Sequence, residues 1–536
     1  MRLKAALNVL RIGAVAVVIV AATYKSFDLD RYFVPKELVL HLCAASAALL
    51  CLRGRRRLTI GIVDLLLAAF LVASFVSALF AVNRWAAERA LAISLSGAAL
   101  FWSAGALRRE GLVRPLLVAL AVAVVVGAAT SLAQAYGVQT DFFSLNRAPG
   151  GTFGNRNFVA HLCAIGTPVV VLVALTARRG FGSLFGGIAM AIVAAALVLS
   201  RSRAAWLAVI VLAVPVGVLA WATWNRWCEP RTVRRALVLG ASAVVGVAAA
   251  VVLPNRLEWK SDSPFLDSAA GLVNYREGSG RGRLVQYANS LRMTAPDPVL
   301  GVGPGNWPVV YPKYAARNDP SMSQEGGVTS NPWPSSDWVA YLSERGVVGV
   351  VLLLLVMVGL AWRALRDLRG AGRDARAGAA SGGRDAERTL TAIALIGTLI
   401  ATAVVGAFDA VLLIAVPTFF VWTLAGALVP PPTGGRTIET GVRWLVPLVA
   451  VLGIVAVGRA ALQFAAMSVY SGSTRTAAVD RAATLDPGSY RILTRAAALH
   501  LARGDCARAR PPAHAAHALY PTAAEPRRQI AECGGR

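Results

Sequence analysis

Residues 113–135 read VRPLLVALAVAVVVGAATSLAQA, a run of 23 residues whose one charge is Arg114. A helix rises about 1.5 Å per residue and the hydrocarbon core of a bilayer is about 30 Å thick, so roughly 20 apolar residues cross it. This run is long enough. Similar runs recur near 8–23, 37–52, 59–82, 91–107, 158–177, 183–199, 204–223, 235–253, 345–362, 389–408, 410–429 and 444–462, which makes about thirteen spans in the 536-residue chain. Composition agrees, since 56% of the residues are hydrophobic and 15% are charged, against roughly 25% charged in a soluble globular protein. The chain is therefore read as all-α and polytopic, with 12 to 13 transmembrane helices. Arg2 and Lys4 ahead of Val9–Ala22 resemble the start of a signal peptide. With no small-residue cleavage site before Tyr24, the first span is read as retained.

Lys and Arg number 54 against 28 Asp and Glu, a formal charge of +26. A nucleic-acid binder would spread such an excess over a hydrophilic surface, and no nucleic-acid partner is expected. Here the charge sorts by loop. Arg53 to Arg57, Arg108, Arg109, Arg114, Arg178, Arg179, Arg226, Arg231, Arg234, Arg235 and seven arginines from Arg363 to Arg388 fall on one face, twenty in all, while the opposite short loops hold nine basic residues. By the positive-inside rule the first face, with the amino terminus, is cytoplasmic. The map then has spans one to nine in 1–253, a large outer loop at 254–335, spans ten to thirteen in 336–462, and a tail at 463–536 that falls outside. The 254–335 loop is too long for a simple turn.

In the tail, AATLDP at 482–487 and AHALYP at 516–521 are offset by 34 residues, the period of tetratricopeptide helical hairpins. Helices are expected from about Ser489 to Ala502 and from Cys506 to Tyr520, with a turn at Gly504 and Asp505. The tail resembles one such repeat with partial neighbours, suited to docking a protein partner. Cys506 and Cys533 both lie here and could pair in an oxidising compartment. None of the six cysteines forms a CxxC pair, so no structural metal is expected.

On the outer face, Ser200-Arg201-Ser202-Arg203 caps a tight turn between two spans. Guanidinium groups and hydroxyls converging there suit a phosphate or pyrophosphate, because arginine offers a planar fork of donors and stays charged. The loop Asn146–Asn157, rich in Gly and Asn, opens a helix, where backbone N–H groups favour an anion; its plainer reading is a turn with an Asn cap. Gly301–Trp307 is neither a P-loop nor a dinucleotide turn, since no Gly-Lys-Ser follows and no strand precedes it within a βαβ unit. Arg84 and Arg89 read as interfacial anchors. His41 and His161 read as packed histidines, with His161 also open to a role as general base. Outer carboxylates show no paired or DxD-like arrangement, so neither a metal nor another cofactor is called for.

These loops carry a resemblance. Gly151-Thr152-Phe153-Gly154-Asn155-Arg156-Asn157 resembles the GTFGNPN signature of the O-antigen ligase and O-antigen polymerase superfamily, and Ser202–Trp206 resembles its SRGAW element. Gly282-Arg283-Leu284, Leu291-Arg292-Met293 and Pro298–Asn306 resemble the string of an arginine, a helix and PLLGVGPGN. Asp337-Trp338, Leu342, Glu344, Gly346 and Gly349 follow HNDYLQLLAELGLIG. The matches run in order over roughly residues 10–430.

The resemblance implies a GT-C type fold in a bacterial inner membrane, multi-pass, with the active site facing the periplasm. It implies an inverting, metal-independent transfer of a glycan from undecaprenyl pyrophosphate to an acceptor hydroxyl. Lipid A-core would make the enzyme an O-antigen ligase; a second lipid-linked glycan, an O-antigen or exopolysaccharide polymerase; a protein hydroxyl, a protein O-oligosaccharyltransferase. By resemblance Arg203 and Arg283 bind the pyrophosphate, with Arg147 and Arg156 beside them, and Asn155, Asn157, Gly303, Gly305 and Asn306 join the substrate-binding loops. The family histidine falls on Ser335, which cannot act as a base near neutral pH. Acceptor activation then passes to Asp337 or His161, or the acceptor differs. A transporter would place charges in mid-span, and only Asp64 is so placed by the reading, with Asp409 near a hairpin tip. A non-catalytic scaffold is the third alternative.

Overall fold

The computed structural model describes residues 1–53, 58–143, 147–178, 181–259, 261–271, 278–316, 318–376, 382–432, 436–438 and 442–534. Asn146, Arg55, Arg56, Arg57 and Arg179 lie outside them. The chain runs α1 (Arg2–Ile19), α2 (Asp30–Leu52), β1 (Leu58–Ile60), α3 (Ile62–Leu79), α4 (Arg84–Arg109), α5 (Val113–Ala135), α6 (Arg156–Leu175), α7 (Phe181–Ser200), α8 (Arg203–Ala222), α9 (Trp224–Trp227) and α10 (Pro230–Val252). It continues through α11 (Pro264–Ala270), α12 (Gly278–Thr294), α13 (Trp307–Val310), α14 (Asp337–Arg376), α15 (Gly382–Phe408), α16 (Ala415–Leu428), β2 (Arg436–Ile438), α17 (Val442–Tyr470), α18 (Thr476–Leu485), α19 (Tyr490–Leu501), α20 (Cys506–Leu519) and α21 (Ala524–Gly534).

The protein is an all-α polytopic membrane protein. Among the described residues, eleven helices are long and apolar enough to cross a bilayer. Two more run among them: α1, whose first turns carry Arg2, Lys4 and Arg11, and α16, only 14 residues long with every residue buried. Close packing of α16 on α4 rests on small residues, the usual means of bringing helices together in lipid. A Cβ on Gly426 would lie 2.1 Å from the Phe101 carbonyl oxygen. Exposed apolar side chains such as Val244, Val245, Ile454 and Val455 sit on α10 and α17, where lipid is the neighbour. One expectation changes: α3 begins at Ile62, so Asp64 lies in its first turn, accepting from Gly61 N (2.8 Å) and Trp102 Nε1 (3.0 Å), and is not in mid-span.

The two ends of the bundle differ. At one, β1 and β2 form an antiparallel ribbon, and Arg108 and Arg235 donate to the carbonyls of Ala427 (2.7 Å) and Leu175 (3.0 Å) at the ends of α16 and α6. Arg114 and Arg363 donate likewise to Thr176 and Pro430. At the other end lie the segment 254–336 and the helices α18–α21. Here Gly301 and Gly346 have positive φ (68° and 66°), Gly346 at a kink in α14, and they let two backbones meet: Val302 N and Gly303 N donate to the carbonyls of Ser343 and Glu344 (3.0 and 2.9 Å). A Cβ on Gly346 would fall 2.1 Å from Val299 O.

Helices α19 and α20 end within a residue of the expected hairpin. They are packed with α18 and α21, and Cys506 and Cys533 are disulfide-bonded with Cα atoms 5.4 Å apart. This tail docks on the same end as the 254–336 segment. Thr522 Oγ1 donates to Gly327 O (2.8 Å), and Asn83 Nδ2, in the turn between α3 and α4, donates to Leu519 O (3.3 Å).

Candidate active site

The site is built on helix starts. Before α6, Thr152 Oγ1 donates to Val18 O (2.7 Å) and Gly151 N to Gln134 Oε1 (2.7 Å), which pins the turn. Asn155 is the N-cap, its side chain accepting from Asn157 N (3.0 Å), and Arg156 N donates to Arg147 O (3.1 Å). The loop is thus a capped turn that presents two arginines. Arg203 likewise opens α8 behind the N-cap Ser202, and its Nη1 donates to Gly271 O (3.0 Å). Arg201, at φ 49°, stacks on Trp259 with 4.4 Å between guanidinium carbon and ring centre.

The structure brings these arginines into one field. The charges of Arg147 and Arg203 act on Arg156. Burial and the Arg156 charge push the Arg201 guanidinium below its ordinary value, and Asp267 opposes them. The guanidinium groups of Arg147 and Arg156 have no hydrogen-bond or ion-pair partner among the described residues. A cation on the first turn of a helix faces the positive end of the helix dipole, costing about 0.3–1 kcal/mol where an anion would gain as much. The cluster is therefore set for an anion that the protein does not supply.

Arg283 comes from α12, half-buried, with its charge felt at His161 on α6. His161 is fully buried, with Nε2 3.7 Å from Asp409 Oδ2, beyond hydrogen-bond length. Asn157 Nδ2 donates to the same oxygen (3.3 Å). Asp337 is 1% exposed, and its two oxygens accept from Val411 N and Leu412 N (both 2.9 Å), so its carboxylate holds the turn between α15 and α16. Ser335 is tied through its backbone to α12: its N–H donates to Gln286 Oε1 (2.6 Å) and its carbonyl accepts from Tyr287 OH (2.7 Å). Asn306 is wholly buried, accepting from Asn83 N (2.7 Å) and donating to the carbonyls of Asn83 and Pro304. Gly303 packs on Ala81, while Gly305 reaches a cavity.

That cavity, of about 1040 Å³, opens at the end that carries the tail. Arg147 and Trp333 line it, and an edge-to-face cluster of Trp333, Phe33 and Phe158 stands between it and His161. Sequence reasoning misses most of its polar groups. Arg89, expected as an interfacial anchor, instead grips Glu37 through two hydrogen bonds (2.8 and 2.9 Å) and reaches Asp30 (3.0 Å). At the rim Lys25 pairs with Asp141 (2.9 Å) and holds that carboxyl below its ordinary value. The tail adds Asp486, Tyr490, Arg491 and Tyr520. Burial raises Asp486, Arg459 opposing, and pushes Tyr520 up to about 12. The pairing of Arg89 with Glu37 had a trace in sequence, as a charge of each sign on the outer halves of two spans.

Fold and site together define a multi-pass membrane protein that gathers unpaired guanidinium groups beside a large polar cavity at one membrane edge. Residues 188–354, less than a third of the chain, match the family model described as O-antigen ligase. The segment holds Arg203, Arg283, the Gly301–Asn306 turn and Ser335 to Gly349. That match, with the apolar helices, points to a glycosyltransferase-like membrane enzyme of bacteria. No curated protein matches the chain.

Proposed function

We propose that the protein transfers a glycan from undecaprenyl pyrophosphate to an acceptor hydroxyl at the periplasmic face of a bacterial inner membrane, with lipid A-core as the acceptor. The observation that carries this is the cluster of Arg147, Arg156, Arg201 and Arg203 at the starts of α6 and α8, in which the Arg147 and Arg156 side chains have no partner among the described residues and no carboxylate compensates Arg156. The disulfide in the tail, on the same end, fits an oxidising compartment. So does the arginine-rich opposite end.

The acceptor oxygen attacks the anomeric carbon as the bond from that carbon to the pyrophosphate oxygen breaks. The leaving pyrophosphate takes the electron pair, and Arg203 and Arg283 with Arg147 and Arg156 neutralise its growing charge, a task fixed guanidinium groups perform without reorganisation. Asn155 and Asn157 hold the turn that aims Arg156, while Gly303, Gly305 and Asn306 hold the loop that carries α12 and Arg283. The attacking hydroxyl loses a proton. Asp409 and His161 are the acid–base pair beside Arg283, and they take the role that Ser335 cannot perform; Asp337 acts by fixing the Asp409 turn. The tail, read as tetratricopeptide-like, contributes a wall and a docking face for a protein partner.

Full-length protein in nanodiscs, given an undecaprenyl-pyrophosphate glycan and in turn lipid A-core, a second lipid-linked glycan and an acceptor protein, should form product with lipid A-core. Asp409→Asn should lower the rate by about 10²–10⁴-fold, the usual worth of a positioned base. Product with none of the three acceptors overturns the reading in favour of a transporter or scaffold.

A further inference from the structure

One cation at the cavity is only partly satisfied by the described residues. Arg345, on α14 just before the Gly346 kink, is 2% exposed and lines the cavity. Its Nη2 donates to Ser94 Oγ (2.9 Å), but Nε and Nη1 are buried without a hydrogen-bond partner among the described residues. The guanidinium lies over the Tyr341 ring at 4.4 Å and the Phe70 ring at 5.3 Å, so it is held flat and cannot swing away. The neighbouring carboxylate cannot serve it in full: Glu344 Oε2 accepts from Gly305 N (2.8 Å) and Oε1 from Trp307 N (3.2 Å). A buried donor left unmade is costly, and native proteins rarely tolerate one without a reason.

The lining as a whole is balanced. Counting Arg345 and Glu344 it contains seven Lys or Arg and seven Asp or Glu, so no bulk charge draws a polyanion, and Arg89 with Glu37 and Lys25 with Asp141 are already paired. Trp85, Trp333, Tyr490 and Tyr520 offer flat rings with a polar edge, on which the apolar faces of sugar rings pack while hydroxyls meet the polar groups. The volume stands at the top of the range of about 300–1,000 Å³ for small-molecule sites, enough for several ring units.

We propose that the cavity is a binding site for a saccharide that carries an oxyanion, with Arg345 reading the negative group and the 486–491 turn of the tail forming one wall. The unit is an acidic sugar, its charge a carboxylate or a phosphate ester, and one of its oxygens takes an N–H of Arg345 that the described residues leave unmade, as a single charge-assisted hydrogen bond. Saccharide as the ligand class rests on the proposed glycan transfer. The test is read as binding without turnover, so the two fail separately.

Titration calorimetry of the full-length protein in nanodiscs would compare tetragalacturonate, its carboxyl-reduced neutral counterpart, and a mannose tetrasaccharide bearing one phosphate monoester. At least one anionic probe should bind about tenfold or more tighter than the neutral one, the worth of a hydrogen bond to a charged group, and which one identifies the source of the charge. Arg345→Met should erase that preference and Arg345→Lys keep part of it. Arg491→Ala and Tyr490→Ala, on the tail, should weaken all probes together without changing the preference. Equal binding of charged and neutral probes by the unaltered protein, binding of none, or a preference that survives Arg345→Met would overturn the inference, while transfer to lipid A-core would stand.

Discussion

Arginines at the two ends of this bundle do opposite things. At the ribbon end Arg108, Arg235, Arg114 and Arg363 each donate to carbonyls at or near helix ends, where the dipole favours positive charge. At the cavity end Arg156 and Arg203 sit on the first turn of a helix, and Arg147, Arg156, Arg201 and Arg203 lie in a chain of mutual repulsion. The first arrangement stabilises the folded chain; the second strains it and becomes favourable only when an anion arrives. Sequence alone gives both ends the same residue type. The difference lies in which terminus of a helix each charge meets.

The comparison can be broken by mutation. Arg203→Ala should lower transfer by about 10²–10³-fold, the usual effect of removing one donor to a developing oxyanion, with at most a small drop in melting temperature, because relief of repulsion offsets the lost bond to Gly271 O. A large fall in melting temperature would mean that the cavity-end arginines serve the fold after all. Next in size, Asp337→Ala should leave two buried N–H groups unpaired and cost on the order of 3 kcal/mol of stability, with transfer per folded molecule largely kept. Transfer falling as far as in Arg203→Ala would make Asp337 part of the chemistry. Smallest, Arg108→Ala should cost about 1 kcal/mol, seen as a small drop in melting temperature, with unaltered transfer. Were Arg108→Ala silent in stability, the favourable half of the contrast would fail.

The helices were legible because apolar runs of bilayer length have few other uses, and α16 is the instructive exception, too short to span by composition yet wholly enclosed. The Asn155 cap and the tight turn at Ser200–Arg203 were legible because an Asn before an apolar run marks a helix start and two adjacent spans leave room only for a short turn. Asp337 reads as a free carboxylate in sequence, and only the fold reveals that two backbone donors from 74 and 75 residues away occupy it. Arg89 reads as an anchor because its partner Glu37 lies 52 residues off. Arg345 hides inside an otherwise matched pattern, where the eye follows Glu344 and Gly346. Such cases share a cause: burial and partners set what a charged side chain does, and both are long-range.

The tail's place on the bundle has a consequence for timing. Asn83 meets Leu519 across 436 residues, and the cavity takes Trp85 and Arg89 from an early helix and Tyr490 and Tyr520 from the tail. Ribosomes make the chain in order, so the membrane helices are in place long before their cavity has its last wall. A nascent protein held in the membrane would carry the arginine cluster without the completed cavity, and it becomes whole only when the tail has docked.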